Sequence, residues 1–455
     1  MKGPIYLTDD IRRIEQAAGN VPLMERAGAA AAALAATLCN GKDVLVLAGP
    51  GNNGGDAAIA AELLRQKFFR VHVAKRPEEL ADRTWSLVID GLFGIGLTRP
   101  IEGDYAKLVE YTNQQTCPVL ALDLPSGIQS DTGQVLGCAV RASHTITFIG
   151  LKPGLLTLDG PDYCGEISVN ELGLQLPPAS AWIAEPSLFK SAFKPRPRNF
   201  HKGMAGSLAV LGGAAGMTGA ALLAGRTALK LGAGRVYVGL LEDSAPAVDL
   251  LAPELMLRHP DDALGVDLDA LVIGPGLGQG ERAETLVGAA LASDIPCVFD
   301  ADALNLIAGS EDLRKACARR TAETLLTPHP GEAATLLAES ISAVQADRVA
   351  AARALSKHFN AHAVLKGNGS VVVARNGHWY INTSGNPGMA SAGMGDVLAG
   401  MLGALLAQRY PGEAALALGV HLHGAAGDAL GEIVGLTASE LIEPSRRIWN
   451  SWLRS

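Results

Sequence analysis

Short apolar runs that lead directly into glycine-rich loops recur through the second half of this chain and constrain its fold more than any other feature. The runs are residues 208–211, 270–273, 324–326 and 363–365, and the loops are residues 211–213, 274–278, 327–332 and 366–370. Runs of this length and composition are typical of buried β-strands. In open α/β sheets, ligands bind beyond the carboxyl ends of the strands. Loops gathered at one edge therefore predict an α/β domain with a nucleotide-sized cleft.

A further glycine-rich segment lies at residues 386–396, NPGMASAGMGD, where glycines run into an aspartate as an apolar helical pattern begins. Free N–H groups at a helix start, together with the helix dipole, hold phosphate groups well. Residues 393–395 would form an amide nest that stabilises a transferring phosphoryl group. Asp396 is placed beside this nest to take a proton from an attacking hydroxyl. In isolation the segment also fits a glycine turn capped by aspartate, but the accompanying loops favour phosphoryl transfer.

The order of these loops resembles the ADP- or ATP-dependent NAD(P)H-hydrate dehydratases, a family of the ribokinase-like superfamily. The likeness spans about residues 199–455 and includes the segments HKG at 201–203 and DADALN at 300–305. The resemblance implies a ribokinase-like α/β domain that uses ADP or ATP with magnesium. It also implies that Asp396 is the catalytic base.

The same resemblance implies two groups of binding residues. Contacts to the hydrated dinucleotide are Ala220, Gly278, His329 and Asp396. Contacts to the adenine nucleotide are Lys366, Gly367, Asn368, Gly369, Ser370 and Gly395. Asp300 and Asp302 are candidate carboxylates for magnesium, but they also fit caps of the following turn. His329 lies between two prolines and equally fits a rigid loop satisfied by the backbone.

The first half of the chain carries its own strand, loop and helix signal. The apolar run 44–48 leads into residues 49–56, GPGNNGGD, and then into a helical pattern. This loop contains the Gly-x-Gly-x-x-Gly spacing of dinucleotide-binding turns, but the acidic ribose partner expected about 20 residues later is missing. Lys75 and Arg76 occupy that position, and their positive charges would suit the 2′-phosphate of an NADP-type dinucleotide instead. Asp56 opposes a pyrophosphate at the helix start, and its position fits an N-cap.

Two more apolar runs in this half end in loops with polar side chains. Residues 87–90 lead into 91–100, and residues 119–123 lead into 124–127. Three parallel strands would present oxygen-bearing side chains along one edge, namely Asn53, Asp56, Asp90, Asp123 and Ser126. Amide, carboxylate and hydroxyl oxygens suit a hard cation. Asp90 and Asp123 also fit simple turn formers.

The combined pattern resembles the NAD(P)H-hydrate epimerases over about residues 6–174, including MERAG at 24–28 and FIGLKPG at 148–154. The resemblance implies a Rossmann-like three-layer domain with potassium bound by Asn53, Asp90 and Ser126. It implies hydrate contacts at Asn52, Asn53, Gly54, Gly55, Asp56, Gly94, Ile95, Gly96, Leu97, Thr98, Arg99, Pro100 and Asp123. Among these, Asp123 is our candidate for acid–base catalysis.

Together the two halves predict one repair function for hydrated NADH and NADPH. The first would epimerise the R and S hydrates, through either an iminium or a ring-opened intermediate. The second would phosphorylate the ring hydroxyl, because phosphate leaves more readily than hydroxide, and so return the S form to NAD(P)H with AMP or ADP and phosphate. The alternatives are a small-molecule kinase fused to an NADP-binding module and a nucleotide-binding regulator without turnover.

Length and charge agree with a two-domain enzyme. A chain of 455 residues exceeds what one core serves, and prolines between residues 177 and 197 predict a boundary, with the epimerase domain at 1–190 and the dehydratase domain at 191–455. The net charge of −8 argues against a nucleic-acid partner. The longest apolar runs are too short to span a membrane. Six cysteines without a Cys-x-x-Cys pair, and no secretory signal, predict a cytoplasmic protein. The resemblance implies a homo-oligomer.

Overall fold

The chain separates into two compact units in a computed structural model that describes residues 3–81, 83–193 and 195–454. The units are Met1–Ile183 and Ala184–Ser455. The division lies within the proline-rich stretch singled out from the sequence, a few residues before position 190. No helix in the described part of the chain has both the length and the apolar character that crossing a bilayer requires.

The first unit alternates helices and strands. Its elements are α1 (Thr8–Ala17), α2 (Leu23–Leu38), β1 (Asp43–Ala48), α3 (Asn52–Gln66), β2 (Arg70–Ala74), β3 (Leu87–Gly91), α4 (Gly103–Asn113), β4 (Val119–Leu122), β5 (His144–Phe148), α5 (Pro161–Cys164) and β6 (Glu166–Asn170). The strands form a parallel sheet in the order β2-β1-β3-β4-β5-β6. The strand order reverses at β1, which marks the switch point where such sheets bind ligands.

Both faces of this sheet are covered, which explains why its strands read as continuous apolar runs. In β1, Val44 and Val46 belong to one buried cluster that includes residues of α2 and α3. The alternate residues Leu45 and Leu47 belong to a second cluster with Leu108 of α4. The sheet therefore lies between two layers of helices, as the predicted three-layer arrangement requires.

The last strand of the first unit in chain order is β7 (Ala181–Ile183). The remaining elements are β8 (Ser207–Gly212), α6 (Thr218–Lys230), β9 (Arg235–Leu240), β10 (Met256–Arg258), α7 (Pro260–Leu264), β11 (Ala270–Ile273), α8 (Glu281–Ala292), β12 (Cys297–Phe299), α9 (Asp302–Gly309), α10 (Glu311–Arg319), β13 (Thr324–Leu326), α11 (Pro330–Leu337), α12 (Ile341–Ala346), α13 (Arg348–Phe359), β14 (His362–Leu365), β15 (Ser370–Val373), β16 (Trp379–Asn382), α14 (Met394–Ala407), α15 (Gly412–Leu430) and α16 (Ile442–Trp452).

The strands of the second unit lie in one sheet in the order β10-β9-β8-β11-β12-β13-β14-β15-β16. Pairing is parallel from β10 to β14 and antiparallel where β15 pairs with β14 and β16. The order reverses at β8, so the loops after β8 and β11 flank a switch point. Helix α14 is apolar on nearly all sides and packs against α6 and α15, which fixes the position of its N-terminus.

Candidate active sites

A cavity of about 520 Å³ opens in the first unit near the carboxyl ends of β1, β3 and β4. The loops after β1 and β3 approach so closely that a Cβ added at Gly49 would lie 1.8 Å from the carbonyl oxygen of Leu92. The lining contains eight of the residues predicted from the sequence, namely Asn52, Asn53, Asp56, Gly94, Ile95, Gly96, Leu97 and Asp123. The three separate loops therefore meet at one cavity.

Five predicted hydrate contacts do not line this cavity as the structure describes it. Gly54 and Gly55 lie in α3, where the helix packs tightly. A Cβ at Gly54 would lie 1.8 Å from the Gly49 carbonyl oxygen, and one at Gly55 would lie 2.6 Å from the sulfur of Met24. The other three residues, Thr98, Arg99 and Pro100, are exposed. Glycine at positions 54 and 55 is thus explained by packing.

Asp123 directly follows β4 and is held by a lysine that the sequence reasoning did not identify as functional. Lys152 is only 1% exposed, and its Nζ donates to Asp123 Oδ1 as well as to Thr147 Oγ1 at 2.8 Å and the Phe148 carbonyl oxygen at 2.7 Å. Thr147 Oγ1 also donates to Asp123 Oδ1 at 3.3 Å. The buried ammonium and the Thr147 hydroxyl group thus fix the orientation of the Asp123 carboxylate.

The sequence contained a signal for Lys152. It stands in the largely apolar segment FIGLKPG at residues 148–154. Lysine is almost never fully buried unless it is paired, so a lysine in such a segment predicts a buried acidic partner. The identity of that partner depends on the pairing of β4 with β5, which brings the loop after β4 beside Thr147 and Phe148.

Asp56 is not an N-cap, and that interpretation of the sequence was wrong. Helix α3 begins at Asn52 with Gly51 as its N-cap, and no side chain caps it. Asp56 lies one turn inside the helix, is 9% exposed and lines the cavity. Burial, followed by the negative charges of Asp123 and Glu15, raises the pKa of Asp56 to about 7. Burial and Asp123 also raise the pKa of Glu15, whereas Lys152 opposes this.

The three oxygen donors predicted for potassium are all buried. Ser126 Oγ donates to Asp90 Oδ1 at 2.6 Å, and the Ser126 N–H donates to Asp90 Oδ2 at 2.8 Å. The Leu92 N–H also reaches Asp90 Oδ1 at 3.2 Å, which is the turn contact that a simple turn former would make. Burial raises the pKa of Asp90 to about 6, although the Ser126 and Leu92 hydrogen bonds oppose the rise.

Asn53, the third predicted potassium ligand, has an unsatisfied side-chain oxygen. Its Nδ2 donates to the Leu122 carbonyl at 3.1 Å, but its Oδ1 is buried without a hydrogen-bond partner. An orphaned buried oxygen is costly unless a cation or water meets it. Within the described residues, no group of three or more His, Cys, Asp or Glu side chains could hold a metal ion. The mixed amide, carboxylate and hydroxyl set thus fits a hard cation of low charge better than a transition metal.

In the second unit, Asp396 lies in the first turn of α14, as predicted. The helix begins at Met394 after Gly393, whose φ of 88° is a left-handed conformation. Burial and the negative charge of Asp300 raise the pKa of Asp396 to about 7, against the opposing effect of Lys366. A base that titrates near neutral pH is well matched to proton removal at that pH.

Lys366 and Asp300 form the polar centre beside this helix start. Lys366 Nζ donates to Asp300 Oδ1 at 3.0 Å, and Thr327 Oγ1 donates to the same oxygen at 2.7 Å. A Cβ added at Gly395 would lie 3.3 Å from Lys366 Nζ and 3.5 Å from Asp300 Oδ2. Burial lowers the pKa of Lys366, but Asp300 and the other nearby carboxylates outweigh this effect and raise it. Gly395 and Lys366, predicted to share a nucleotide, are therefore neighbours.

His329 makes the backbone contacts of a helix cap. Its Nδ1 accepts from the N–H groups of Gly331 at 3.0 Å and Glu332 at 3.3 Å, and its own N–H donates to Glu332 Oε2 at 2.7 Å. The rigid-loop interpretation therefore describes these bonds, and the contact of His329 with the hydrate stays a prediction. Glu332 is 6% exposed, and burial raises its pKa while Lys366 opposes the rise.

Asp302 connects two loops, since its Oδ2 accepts from the Gly278 N–H at 2.8 Å. Neither Asp300 nor Asp302 caps α9, whose N-cap is Ala301 without a side-chain hydrogen bond. The capping alternative for this pair was wrong, because both carboxylates bond to other loops. Ala220 lies in the first turn of α6, beside Gly276. The other predicted nucleotide contacts, Gly367, Asn368, Gly369 and Ser370, lie where β14 turns into β15.

Comparison with known proteins identifies the family to which each half of the chain is similar. Residues 208–446 match the family described as NAD(P)H-hydrate dehydratase. Residues 20–86 and 80–154 match the YjeF-related protein N-terminus. The bifunctional NAD(P)H-hydrate repair enzyme Nnr of Escherichia coli (strain K12) is 36% identical over an alignment of 495 residues, gaps included. The alignment covers 98% of this chain and 94% of that protein. This chain belongs to the bifunctional NAD(P)H-hydrate repair enzymes.

Solved structures confirm the fold of this repair enzyme's second unit. The ADP/ATP-dependent NAD(P)H-hydrate dehydratase from Bacillus subtilis, co-crystallised with ATP/Mg²⁺, is 31% identical with a TM-score of 0.52, and the match covers 58% of this chain and 96% of that one. A ribokinase-like superfamily protein from Enterococcus faecalis V583 is 24% identical with a TM-score of 0.53, covering 61% of this chain and 99% of that one. The predicted ribokinase-like fold is thus confirmed.

Proposed function

We propose that this protein repairs hydrated NADH and NADPH in two steps, one in each unit. The first unit epimerises the R and S hydrates. The second dehydrates the S form at the expense of ADP or ATP and gives NAD(P)H, AMP or ADP, and phosphate. Membership of the repair-enzyme family supports this assignment. The observation that carries the second step is the cluster of Asp396, Lys366 and Gly395 at the start of α14.

In the dehydratase step, Asp396 takes the proton of the ring hydroxyl as its oxygen attacks the terminal phosphoryl group of the nucleotide. N–H groups at the start of α14 and the Lys366 ammonium stabilise the negative charge on the transferring group. The ring nitrogen then expels phosphate, and loss of a proton from the neighbouring ring carbon restores the double bond. The step works because phosphate is a far better leaving group than hydroxide.

Magnesium would enter the second site with the nucleotide and neutralise charge on its phosphates. The B. subtilis dehydratase was co-crystallised with ATP/Mg²⁺. Asp300 is the carboxylate that fits a role beside this metal, because it is buried and its Oδ2 lies against Gly395 at the start of α14. Lys366 would remain its hydrogen-bond partner and contact the nucleotide phosphates.

In the epimerase step, Asp123 acts at the carbon that carries the added hydroxyl group. Lys152 donates a hydrogen bond to Asp123 and orients its carboxylate, which acts as the proton acceptor. The replacement Asp123→Ala is expected to lower epimerisation about 10²–10⁴-fold, the range that general acid–base catalysis supplies. With ADP present, the S hydrate should still be consumed, and the R hydrate should persist. NADH absorbance measured for each purified epimer checks this result.

A matched control for that experiment is Asp104→Ala, which removes an exposed carboxylate from the same unit. This variant should repair both epimers as the wild-type protein does. Equal repair of both epimers by Asp123→Ala, after correction for spontaneous epimerisation, would contradict the role of Asp123.

For potassium, we propose a site formed by Asn53, Asp90 and Ser126, supported by the orphaned Asn53 Oδ1. Replacing potassium with tetramethylammonium should slow epimerisation and leave dehydration of the S hydrate unchanged. The replacement Asn53→Leu should lower epimerisation about tenfold or more and abolish the potassium response, since loss of a partner of a metal ligand already costs 10–100-fold. Epimerisation that is equally fast in both salts would exclude the cation.

A further inference from the structure

The cavity of the first unit contains more acidic groups than the proposed reaction has used. Three carboxyl groups line it, from Glu15 on α1, Asp56 on α3 and Asp123 after β4. Only Asp123 bonds to the buried Lys152 ammonium. Epimerisation at a carbon that carries both nitrogen and hydroxyl needs a proton for the departing oxygen and a base for the returning one. If Asp123 supplies the base, another group in the cavity must supply the proton.

Asp56 occupies a position suited to the first role. It is 9% exposed at the cavity wall, one turn inside α3, and it makes no N-cap bond. The other charged side chains that line the cavity are Arg12, Glu15, Asp123 and Lys152. Of these, the two that act on Asp56 are both acidic, and like charges in a buried site favour the protonated form.

We propose that Asp56 is the general acid of the epimerase and works with Asp123 as the base. This inference rests on the proposed epimerase function. The two carboxyl groups share one cavity, but their surroundings are opposite, since Lys152 holds Asp123 whereas Asp56 faces other acids. Two carboxyl groups in different environments within one cavity are a common source of separate acid and base roles. The pKa of about 7 for Asp56 agrees with this assignment.

On the iminium route, one of the two routes open to this carbon, the two carboxyl groups act in sequence. Asp56 gives its proton to the ring hydroxyl, the C–O bond breaks with its electron pair on the departing water, and the nitrogen lone pair forms the C=N bond. Water then adds to the opposite face, the C=N electrons return to nitrogen, and Asp123 takes the proton released by the new hydroxyl. Proton exchange of the two carboxyl groups with solvent restores the starting state. The reverse reaction uses the same groups in exchanged roles.

The test uses the full chain with purified R hydrate, ADP and magnesium, and dehydration of the S hydrate is the internal control. Asp56→Asn should lower the kcat of epimerisation about 10²–10⁴-fold. S hydrate consumption should be unchanged. In the wild type, kcat/KM for epimerisation should fall as the pH rises through about 7, because Asp56 loses its proton. Glu15→Gln should stay active but move this fall to lower pH, since Glu15 raises the pKa of Asp56.

Three results would overturn the proposal. Asp56→Asn could raise only KM with kcat unchanged, which would make Asp56 a binding group. Glu15→Gln could abolish epimerisation while Asp56→Asn does not, which would make Glu15 the acid. Glu15→Gln could leave unchanged the pH at which kcat/KM for epimerisation decreases. This measurement does not depend on how well Asp56→Asn folds. If the wild-type protein does not epimerise the hydrate at all, the proposed epimerase function fails instead.

Discussion

Asp396→Asn is expected to lower the turnover of adenylate-dependent dehydration about 10²–10⁴-fold, because the ring hydroxyl then loses the base that activates it. Asparagine keeps the size of the side chain and the start of α14, so binding of ADP should change little. Epimerisation should be unchanged, since its carboxylates lie in the other unit. Initial rates of NADH formation from the S hydrate, with saturating ADP and magnesium, measure the effect.

The wild-type pH profile gives a second readout for Asp396. Only the ionised carboxylate accepts a proton, and its pKa is raised to about 7 by burial and by Asp300. Dehydration should therefore slow as the pH falls through about 7. Asp312→Asn, which alters an exposed residue in the first turn of α10, is the matched control and should behave as wild type. Near-normal turnover by Asp396→Asn would exclude Asp396 as the base.

Lys366→Met is expected to produce the second large effect. The loss of a donor aimed at developing negative charge costs about 10²–10³-fold in kcat. KM for ADP should also rise, because the ammonium lies beside the start of α14, where the nucleotide phosphates would bind. The variant removes the partner of buried Asp300, and breaking such a pair costs about 3–5 kcal/mol of stability. Kinetics with varied ADP and thermal unfolding measure the two consequences.

The direction of a pH shift distinguishes Lys366 from a purely structural lysine. Lys366 lowers the pKa of Asp396, so removal of Lys366 should raise that pKa. The decrease in the dehydration rate at low pH should then begin at a higher pH. Thr327→Val is the control, because it removes another hydrogen bond to Asp300 but no charge. In Thr327→Val, the dehydration rate should decrease over the same pH range as in the wild type. If the dehydration rate of Lys366→Met decreased over the same pH range as that of the wild type, direct coupling between Lys366 and Asp396 would be contradicted.

Local sequence patterns predicted the strands and the helix start because these depend on near neighbours. Strand β11 has the bounds that its apolar run indicated, since a strand buried on both faces has no polar positions inside it. Asp396 was expected at a helix start for a similar reason, because glycines before an apolar helical pattern mark that point. Such features predicted the sheet edges at which both sites lie.

Sequence reasoning failed where a side chain depends on partners far along the chain. Asp56 matched the residue preference of a cap, but its environment is set by Glu15 and Asp123, which are brought to it by α1 and β4. Lys152 gained no role because its pairing with Asp123 requires β4 and β5 to be neighbours. His329 was left open for a different reason, since its cap bonds to Gly331 and Glu332 are local but require the start of α11 to be known.

In the proposed dehydratase step, the ring hydroxyl of the S hydrate becomes a phosphate ester before the ring expels it as phosphate. Purified protein should be incubated with the S hydrate in the presence and in the absence of ADP and magnesium, while NADH, AMP and inorganic phosphate are quantified. We expect all three products to form in equal amounts, and only when the nucleotide is present. NADH formation at full speed without any adenylate, or accumulation of a stable phosphorylated hydrate as the end product, would contradict this step.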